Sequence, residues 1–484
     1  IPANSAAAGG GYDVANSCMF NVGDDAKLSR TAPNSSATHD DKFTFSFWVK
    51  RSVLGAEQQI YSTFDGGGAP YQEFQFYFQE TDKLRIQTHN SSNLMELIPT
   101  RLFRDVSAWY HFVFAYDSSQ GTASNRAKLY VNGTQETSFS TETYPDQNTD
   151  GEFAIQNHIQ AIGNNTANNR DSGLYLTEVV GVDGQALAPT EFGEFDGDSG
   201  IWKPKDVSEI NVGTLGFYLD FEDSSALGND VSGVGDFTVS NLAATDQATD
   251  TCTNNFTTWN SLNFNLNANT LSNGNTKMNG TADAAYPNSI TSIGMPKSGK
   301  WYAEFKDVGT EGFALGIADM PTFINALRTD TSATIFTTGG SGAAILRNAG
   351  DVIISGSETS GVTPSFSQND IAMIAYDADN GAFYAGRNGT FGSVGGVVGD
   401  PTSGASRTGA INISGQSWLI ASQEVGFIVG SFSGSKFSII EANFGNPFFA
   451  ITSGNADGDG SGDFEYAVPS GYFALCTKNL AEYG

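Results

Sequence analysis

Apolar and small polar residues alternate with period two along much of this chain. Phe43-Thr-Phe-Ser-Phe-Trp-Val49 and Glu73-Phe-Gln-Phe-Tyr-Phe-Gln79 put every second aromatic on one face, the spacing of a half-buried strand. Trp109-Tyr-His-Phe-Val-Phe-Ala-Tyr116 predicts a longer apolar strand, and Ala127-Lys-Leu-Tyr-Val131 runs into Asn132-Gly133. Asn-Gly between strands is the strongest short hairpin signal. Gly173-Leu-Tyr-Leu-Thr-Glu-Val-Val180 and Leu215-Gly-Phe-Tyr-Leu-Asp-Phe221 complete a first set. Thr190-Glu-Phe-Gly-Glu194 predicts a single helical turn after Pro189. No other stretch of useful length keeps the helical period.

From 223 to 261 Ser, Gly, Asn, Asp and Thr dominate, which predicts an irregular linker partly packed through Phe237, Leu242 and Trp259. A second strand-rich set follows: Lys300-Trp-Tyr-Ala-Glu-Phe305, Gly312-Phe-Ala-Leu-Gly-Ile-Ala318, Ile371-Ala-Met-Ile-Ala-Tyr376, and Ala382-Phe-Tyr-Ala385 before a second Asn-Gly at 388–389. The Gly/Ser/Thr-rich stretch 392–410 predicts a mobile loop. No fixed-period repeat links the halves. The expected fold is all-β: two antiparallel, jelly-roll-like β-sandwiches in tandem, over 12–222 and 262–484, after an N-terminal extension at 1–11.

Composition narrows the function. Asp and Glu outnumber Lys and Arg 53 to 24, for a formal net charge of -29. Binding nucleic acid through its phosphates needs a basic face, so that class is excluded; docking on anionic lipid is disfavoured on the same ground. No apolar run approaches the ~18 residues of a membrane-spanning helix. Three distant cysteines, Cys18, Cys252 and Cys476, give neither a disulfide framework nor a metal spacing. The start, Ile1-Pro-Ala-Asn-Ser, lacks Met and a signal-peptide core, as expected of a processed chain or a piece of a longer one.

The first set resembles a laminin-G-like (concanavalin-like) domain over 12–222. The resemblance is carried by Phe45-Ser-Phe-Trp-Val-Lys-Arg51, Ser107-Ala-Trp-Tyr-His-Phe-Val-Phe114, Ala123-Ser-Asn-Arg-Ala-Lys-Leu-Tyr-Val-Asn-Gly133 and Gly184-Gln-Ala-Leu-Ala-Pro-Thr-Glu-Phe-Gly193. The second set resembles a SPRY domain through Lys300-Trp-Tyr-Ala-Glu-Phe305, Ala314-Leu-Gly-Ile-Ala-Asp319, Ala375-Tyr-Asp-Ala-Asp-Asn-Gly381, Glu441-Ala-Asn-Phe-Gly445 and the tail Pro469-Ser-Gly-Tyr-Phe-Ala-Leu-Cys476. The combination is similar to tail-fibre and virion structural proteins of tailed bacteriophages, marine ones especially. That resemblance implies a virion surface component. Its partners would be other virion subunits and a host-surface glycan or protein, and the usual fibre state is a homotrimer.

Several residue groups are candidates for chemistry. Glu194-Phe-Asp196-Gly-Asp198 superficially fits the paired carboxylates of a retaining glycosidase, which stand about 5–5.5 Å apart; the competing reading is a solvated, Gly-flanked turn. The histidines are His39, His89, His111 and His158. His111 lies in an apolar strand, where a hydrogen-bonded core histidine is more usual than a base, and no nucleophile elbow precedes a helix. Asp457-Gly-Asp-Gly-Ser-Gly-Asp463 is the best calcium candidate, through Asp457, Asp459 and Asp463. It lacks the EF-hand glutamate, since loop position 12 falls on Val468 or Tyr466; an acidic surface turn is the competing reading. Tyr71, Tyr144 and Trp202 lie in loop-like segments and are the candidates for stacking on sugar rings.

The expected function is a non-enzymatic virion surface protein for host-surface or glycan adhesion. A virion-associated polysaccharide depolymerase and a secreted cellular adhesin are the alternatives. Candidate contact loops are 65–71, 144–150, 164–172 and 392–410.

Overall fold

Strand Lys42–Arg51 shows how the alternation is used. Phe43, Phe45 and Phe47 enter an aromatic core in which Phe43 meets Phe74 at 5.3 Å between ring centroids and Phe47 meets Phe76 at 5.1 Å, both edge-on. Such pairs add roughly 0.5–1.5 kcal/mol each beyond the area they bury. The intervening Thr44, Ser46 and Trp48 are buried as well. Their cross-strand partners Val113, Val180 and Val182 start a second apolar cluster with Phe192 and Val207 on that side. Small polar residues that read as solvent-facing therefore lie between two apolar layers.

A computed structural model describes residues 11–35, 41–65, 72–164, 170–264, 269–280, 288–309, 312–329, 342–422, 424–431 and 439–484. The chain divides into two units, Ile1–Thr253 and Asn254–Gly484. Each is an antiparallel two-sheet β-sandwich. In the first, one sheet runs Ala127–Val131, Trp109–Asp117, Lys42–Arg51, Leu174–Asp183, Ser17–Phe20, and the other Asn93–Pro99, Leu84–Asn90, Gln72–Phe78, Gln58–Phe64, Ile159–Ile162, Lys27–Thr31. In the second, Asn288–Thr291, Val425–Gly430, Ala314–Asp319 and Ala343–Arg347 form the centre of one sheet; Ile439–Asn443, Lys300–Asp307, Ile371–Asp377 and Ala382–Arg387 form the centre of the other. Helices are short, Met320–Thr329, Ser417–Ala421 and Thr477–Tyr483 among the described residues. The turn after Pro189 is a 3-10 turn, Pro189–Glu191.

Both Asn-Gly pairs make tight hairpins. Asn132 and Gly133 have φ of 48° and 75°, Asn388 and Gly389 of 48° and 82°, the left-handed pair that a type I′ turn requires. Each Asn also clamps the neighbouring strand: Asn132 Oδ1 accepts from His111 N–H at 2.8 Å, and Asn388 Oδ1 from Ile371 N–H at 2.8 Å.

The stretch 223–253, expected as linker, is built into the first unit. Thr238–Ser240 pairs with Lys27–Thr31, and Gln247–Ala248 with Ser17–Phe20. Buried charges hold it. Arg30 Nη1 pairs with Asp230 at 3.0 Å, with Nε donating to Gln160 at 2.7 Å and Nη2 to Gly216 O at 2.7 Å. Lys50 Nζ meets Asp250 Oδ2 at 2.7 Å while Trp109 Nε1 donates to its Oδ1 at 3.1 Å. The polar composition that reads as solvated loop supplies internal anchors. Likewise 392–410, expected as a mobile loop, folds as a ribbon of Ser393–Val394 with Val397–Val398 and a 3-10 segment Pro401–Ser406. Asp400 caps that segment, accepting from Thr402 N–H at 3.0 Å, and the buried Tyr472 hydroxyl donates to Pro401 O at 3.2 Å. The three cysteines are buried and free.

Candidate functional site

After Phe192 the first unit turns into a short ribbon, Gly193–Phe195 against Trp202–Pro204. Glycine is needed beneath it: a Cβ at Gly133 or Gly193 would come within 2.3 Å or 2.6 Å of the Trp202 ring. Trp202 is thus 5% exposed, which corrects the expectation of an open loop aromatic. Its indole is used internally, with Nε1–H donating to His111 Nδ1 at 2.9 Å. The available ring is its partner across the ribbon. Phe195 is 55% exposed and meets Trp202 edge-on at 4.9 Å. Sequence reasoning missed Phe195 because it sits between two acids in a Gly-flanked run with no strand pattern.

The acids beside Phe195 share one cation. Lys203 Nζ lies 3.4 Å from both Glu194 Oε1 and Asp196 Oδ2. Asp196 Oδ1 accepts from Ser199 N–H at 2.8 Å, Ser199 Oγ at 2.9 Å and Asp198 N–H at 3.1 Å. The Ser199 backbone N–H above all, then its hydroxyl, lowers the Asp196 carboxyl to about 2. A glycosidase general acid needs the opposite shift. This arrangement holds Asp196 as an ionised turn residue, and its chemistry is hydrogen bonding.

His111 has the contacts of a dyad and the wrong tautomer for one. Its Nε2 lies 2.9 Å from Ser46 Oγ. Since Nδ1 accepts from Trp202, Nε2 carries the proton and donates to Ser46. Burial depresses the imidazole to about 3, so it stays neutral and cannot take the serine proton. It is a hydrogen-bonded core histidine. Tyr144 is half-buried against the core edge, its hydroxyl donating to Glu142 Oε1 at 2.6 Å. Tyr71, with 66–70 and 165–169 of the candidate loops, lies outside the described residues.

The Asp457 loop is stapled by its own carboxylate. Asp457 Oδ1 accepts from the N–H groups of Ser461 at 2.9 Å and Gly462 at 3.0 Å; Oδ2 accepts from Ala474 N–H and Asn479 Nδ2, both at 2.8 Å. Asp459 bonds Ser461 at N and Oγ; burial, then the nearby Asp457, raises its carboxyl. Burial also raises Asp463. Calcium asks for six to eight oxygens. Here the most buried acid of the loop already faces four N–H donors, and no three His, Cys, Asp or Glu side chains among the described residues converge as metal ligands. The loop does not fit the cation expected from sequence; alternating Asp and Gly serve as turn chemistry.

A model of the concanavalin A-like lectin/glucanases superfamily matches residues 23–173. No curated protein matches the chain. Among solved structures, the SPRY domain of human HERC1 is similar at 16% identity, over 38% of this chain and 96% of its own, with a TM-score of 0.28. Domains LG4-5 of the mouse laminin alpha1 chain are similar at 10% identity over 91% of each chain, TM-score 0.28. The SAP-like pentraxin of Limulus polyphemus is similar at 16% identity, over 37% of this chain and 80% of its own, TM-score 0.26.

Proposed function

We propose that this chain is a non-catalytic adhesion protein of a virion surface, a tail fibre, tail tip or capsid fibre, that grips host-cell glycan with its first sandwich. The observation that carries the reading is Phe195: an exposed ring backed edge-on by buried Trp202, flanked by Glu194 and Lys203. A rigid aromatic with polar groups on either side can cover the C–H face of a sugar while bonding its hydroxyls. The match to the concanavalin A-like lectin/glucanases superfamily covers 23–173, the body of the same sandwich without the ribbon, and supports a carbohydrate-facing module. The virion setting draws on the phage resemblance of both sandwiches, and a homotrimer would multiply weak contacts by avidity.

The test incubates purified protein with host envelope polysaccharide and measures retention and newly released reducing ends. Retention that falls at least about tenfold in Phe195→Ala, a loss of ~1.4 kcal/mol, with no reducing ends, is the expected result. Reducing ends that vanish in Glu194→Gln would establish a depolymerase instead. Sedimentation of the full chain tests the trimer, and antibody labelling of particles tests the virion setting.

A further inference from the structure

The second unit carries a concave site of its own, walled by the hairpin turn after Ile371–Asp377, the residue following the 3-10 segment Pro401–Ser406, and the helix Ser417–Ala421. Its volume is about 250 Å³, just below the roughly 300–1,000 Å³ of pockets that hold drug-sized ligands, so it suits one small ring. Two cations enter it, Lys297 and Arg407. Neither is ion-paired among the described residues: the exposed Lys297 donates through Nζ to Ile420 O at 3.2 Å, and Arg407 through Nε to Asn380 O at 2.5 Å. Among the described residues the terminal nitrogens of Arg407 have no acceptor.

Two further polar groups line the cavity and could bond a ligand. Tyr376 lines it with a buried ring, and its hydroxyl, which is not itself a buried atom and has no hydrogen-bond partner among the described residues, is open to the cavity. Asp379, exposed at the rim, accepts from Gly299 N–H through Oδ1 at 3.1 Å, and its Oδ2 has no donor among the described residues. Leu419 and the 65% exposed Ile420 add an apolar wall.

We propose that this cavity binds the carboxylate-bearing residue of an acidic polysaccharide, a uronic acid. Lys297 and Arg407 take the carboxylate, Asp379 and the Tyr376 hydroxyl bond ring hydroxyls, and the Leu419–Ile420 wall covers a C–H face. Asp379 selects among anions. Its charge opposes a doubly charged phosphate more than a singly charged carboxylate, and it offers a hydroxyl-rich ring an acceptor. The inference rests on the adhesion reading for the ligand class and adds a second subsite to it.

The test titrates the full chain with oligogalacturonate and with its methyl ester. The acid binds, the ester does not, and affinity falls with salt. Lys297→Gln and Arg407→Asn each weaken binding at least about tenfold with unchanged melting curves. Asn suits position 407 because the backbone there is left-handed, φ 47°. Tyr376→Phe, which removes only the hydroxyl, weakens binding about three- to tenfold. Equal binding of acid and ester, indifference to these variants, or binding of a peptide C-terminal carboxylate in place of the uronate would overturn the proposal. Host polysaccharide retained through Phe195 without uronate binding sinks this inference alone; uronate binding without retention of host polysaccharide sinks the adhesion reading alone.

Discussion

The two sandwiches bury charge differently. In the first unit Arg30–Asp230, Lys50–Asp250 and Arg51–Asp82 are ion pairs whose side chains are at most 5% exposed. In the second, the fully buried Asp377 pairs with Lys300 at 3.4 Å, a lysine still 23% exposed, and two other buried acids rest on neutral donors. Glu304 accepts from Glu465 N–H, Tyr466 N–H and the Tyr302 hydroxyl, each at 2.9 Å, and Asp457 accepts from four N–H groups. The difference lies in what each arrangement leaves behind when it is cut. Reach does not separate them: Arg30–Asp230 and Lys50–Asp250 span 200 residues and Arg51–Asp82 31, while Glu304 reaches 161 and 162 residues and Asp457 at most 22, to Asn479. Removing one partner of a buried pair strands an opposite charge; removing a carboxylate from N–H donors strands only neutral groups.

The largest expected effect follows directly. Asp230→Ala should cost about 3–5 kcal/mol, because the Arg30 guanidinium stays buried between Phe217 and Phe237. Hydrogen exchange in 215–253 should accelerate with the global loss. A cost under ~1 kcal/mol would break the comparison, showing that the carbonyls of Leu215 and Gly216 suffice for Arg30.

Asp457→Asn should cost less, about 1–3 kcal/mol, since the amide keeps one acceptor and turns its NH2 against N–H donors. Peptide-level exchange in the second unit would read it. Adding calcium or a chelator to the wild type should leave the melting midpoint in place; a rise with calcium would restore the metal site.

The smallest effect is a pH slope that separates the units. Burial raises Glu178 from 4.5 to about 8 in the first unit and Asp307 from 3.8 to about 6 in the second. A raised carboxylate binds its proton more tightly folded than unfolded. Its contribution is therefore fully present below the unfolded value and is lost as pH rises to the folded value. Between pH 7 and 8 Glu178 still titrates and Asp307 has largely finished. The first unit should lose at most ~1.4 kcal/mol per pH unit there while Asp307 adds little slope to the second. Denaturant midpoints of each unit, read by pulsed exchange at pH 7 and pH 8, check this. Glu178→Gln should flatten the first unit's slope; an unchanged slope would move its source elsewhere.

Local order was legible in the sequence. Period-two aromatics predicted which faces of Lys42–Arg51 and Gln72–Phe78 meet, and the two Asn-Gly pairs predicted their hairpins, because strand pleat and turn conformation are properties of a few adjacent residues. Pro189 marked its turn for the same reason. The site was less legible. The Glu194–Asp198 run stood out, but as a pair of acids; Lys203 between them and the exposed ring of Phe195 emerge only once the ribbon forms.

What composition and pattern determined by themselves is an acidic, all-β chain of two strand-rich sets. What only the tertiary structure decided is where its polar residues go. A polar stretch is the same string of Ser, Asp and Gly whether water or Arg30 and Lys50 receives it. Trp202 looks like any loop aromatic until Gly133 and His111 close over it. Tyr376 and Arg407 share a cavity though the chain separates them by a hairpin and a 3-10 segment. Turns and pleats follow from short-range sterics, while burial of a polar group depends on a partner that the fold brings from far along the chain.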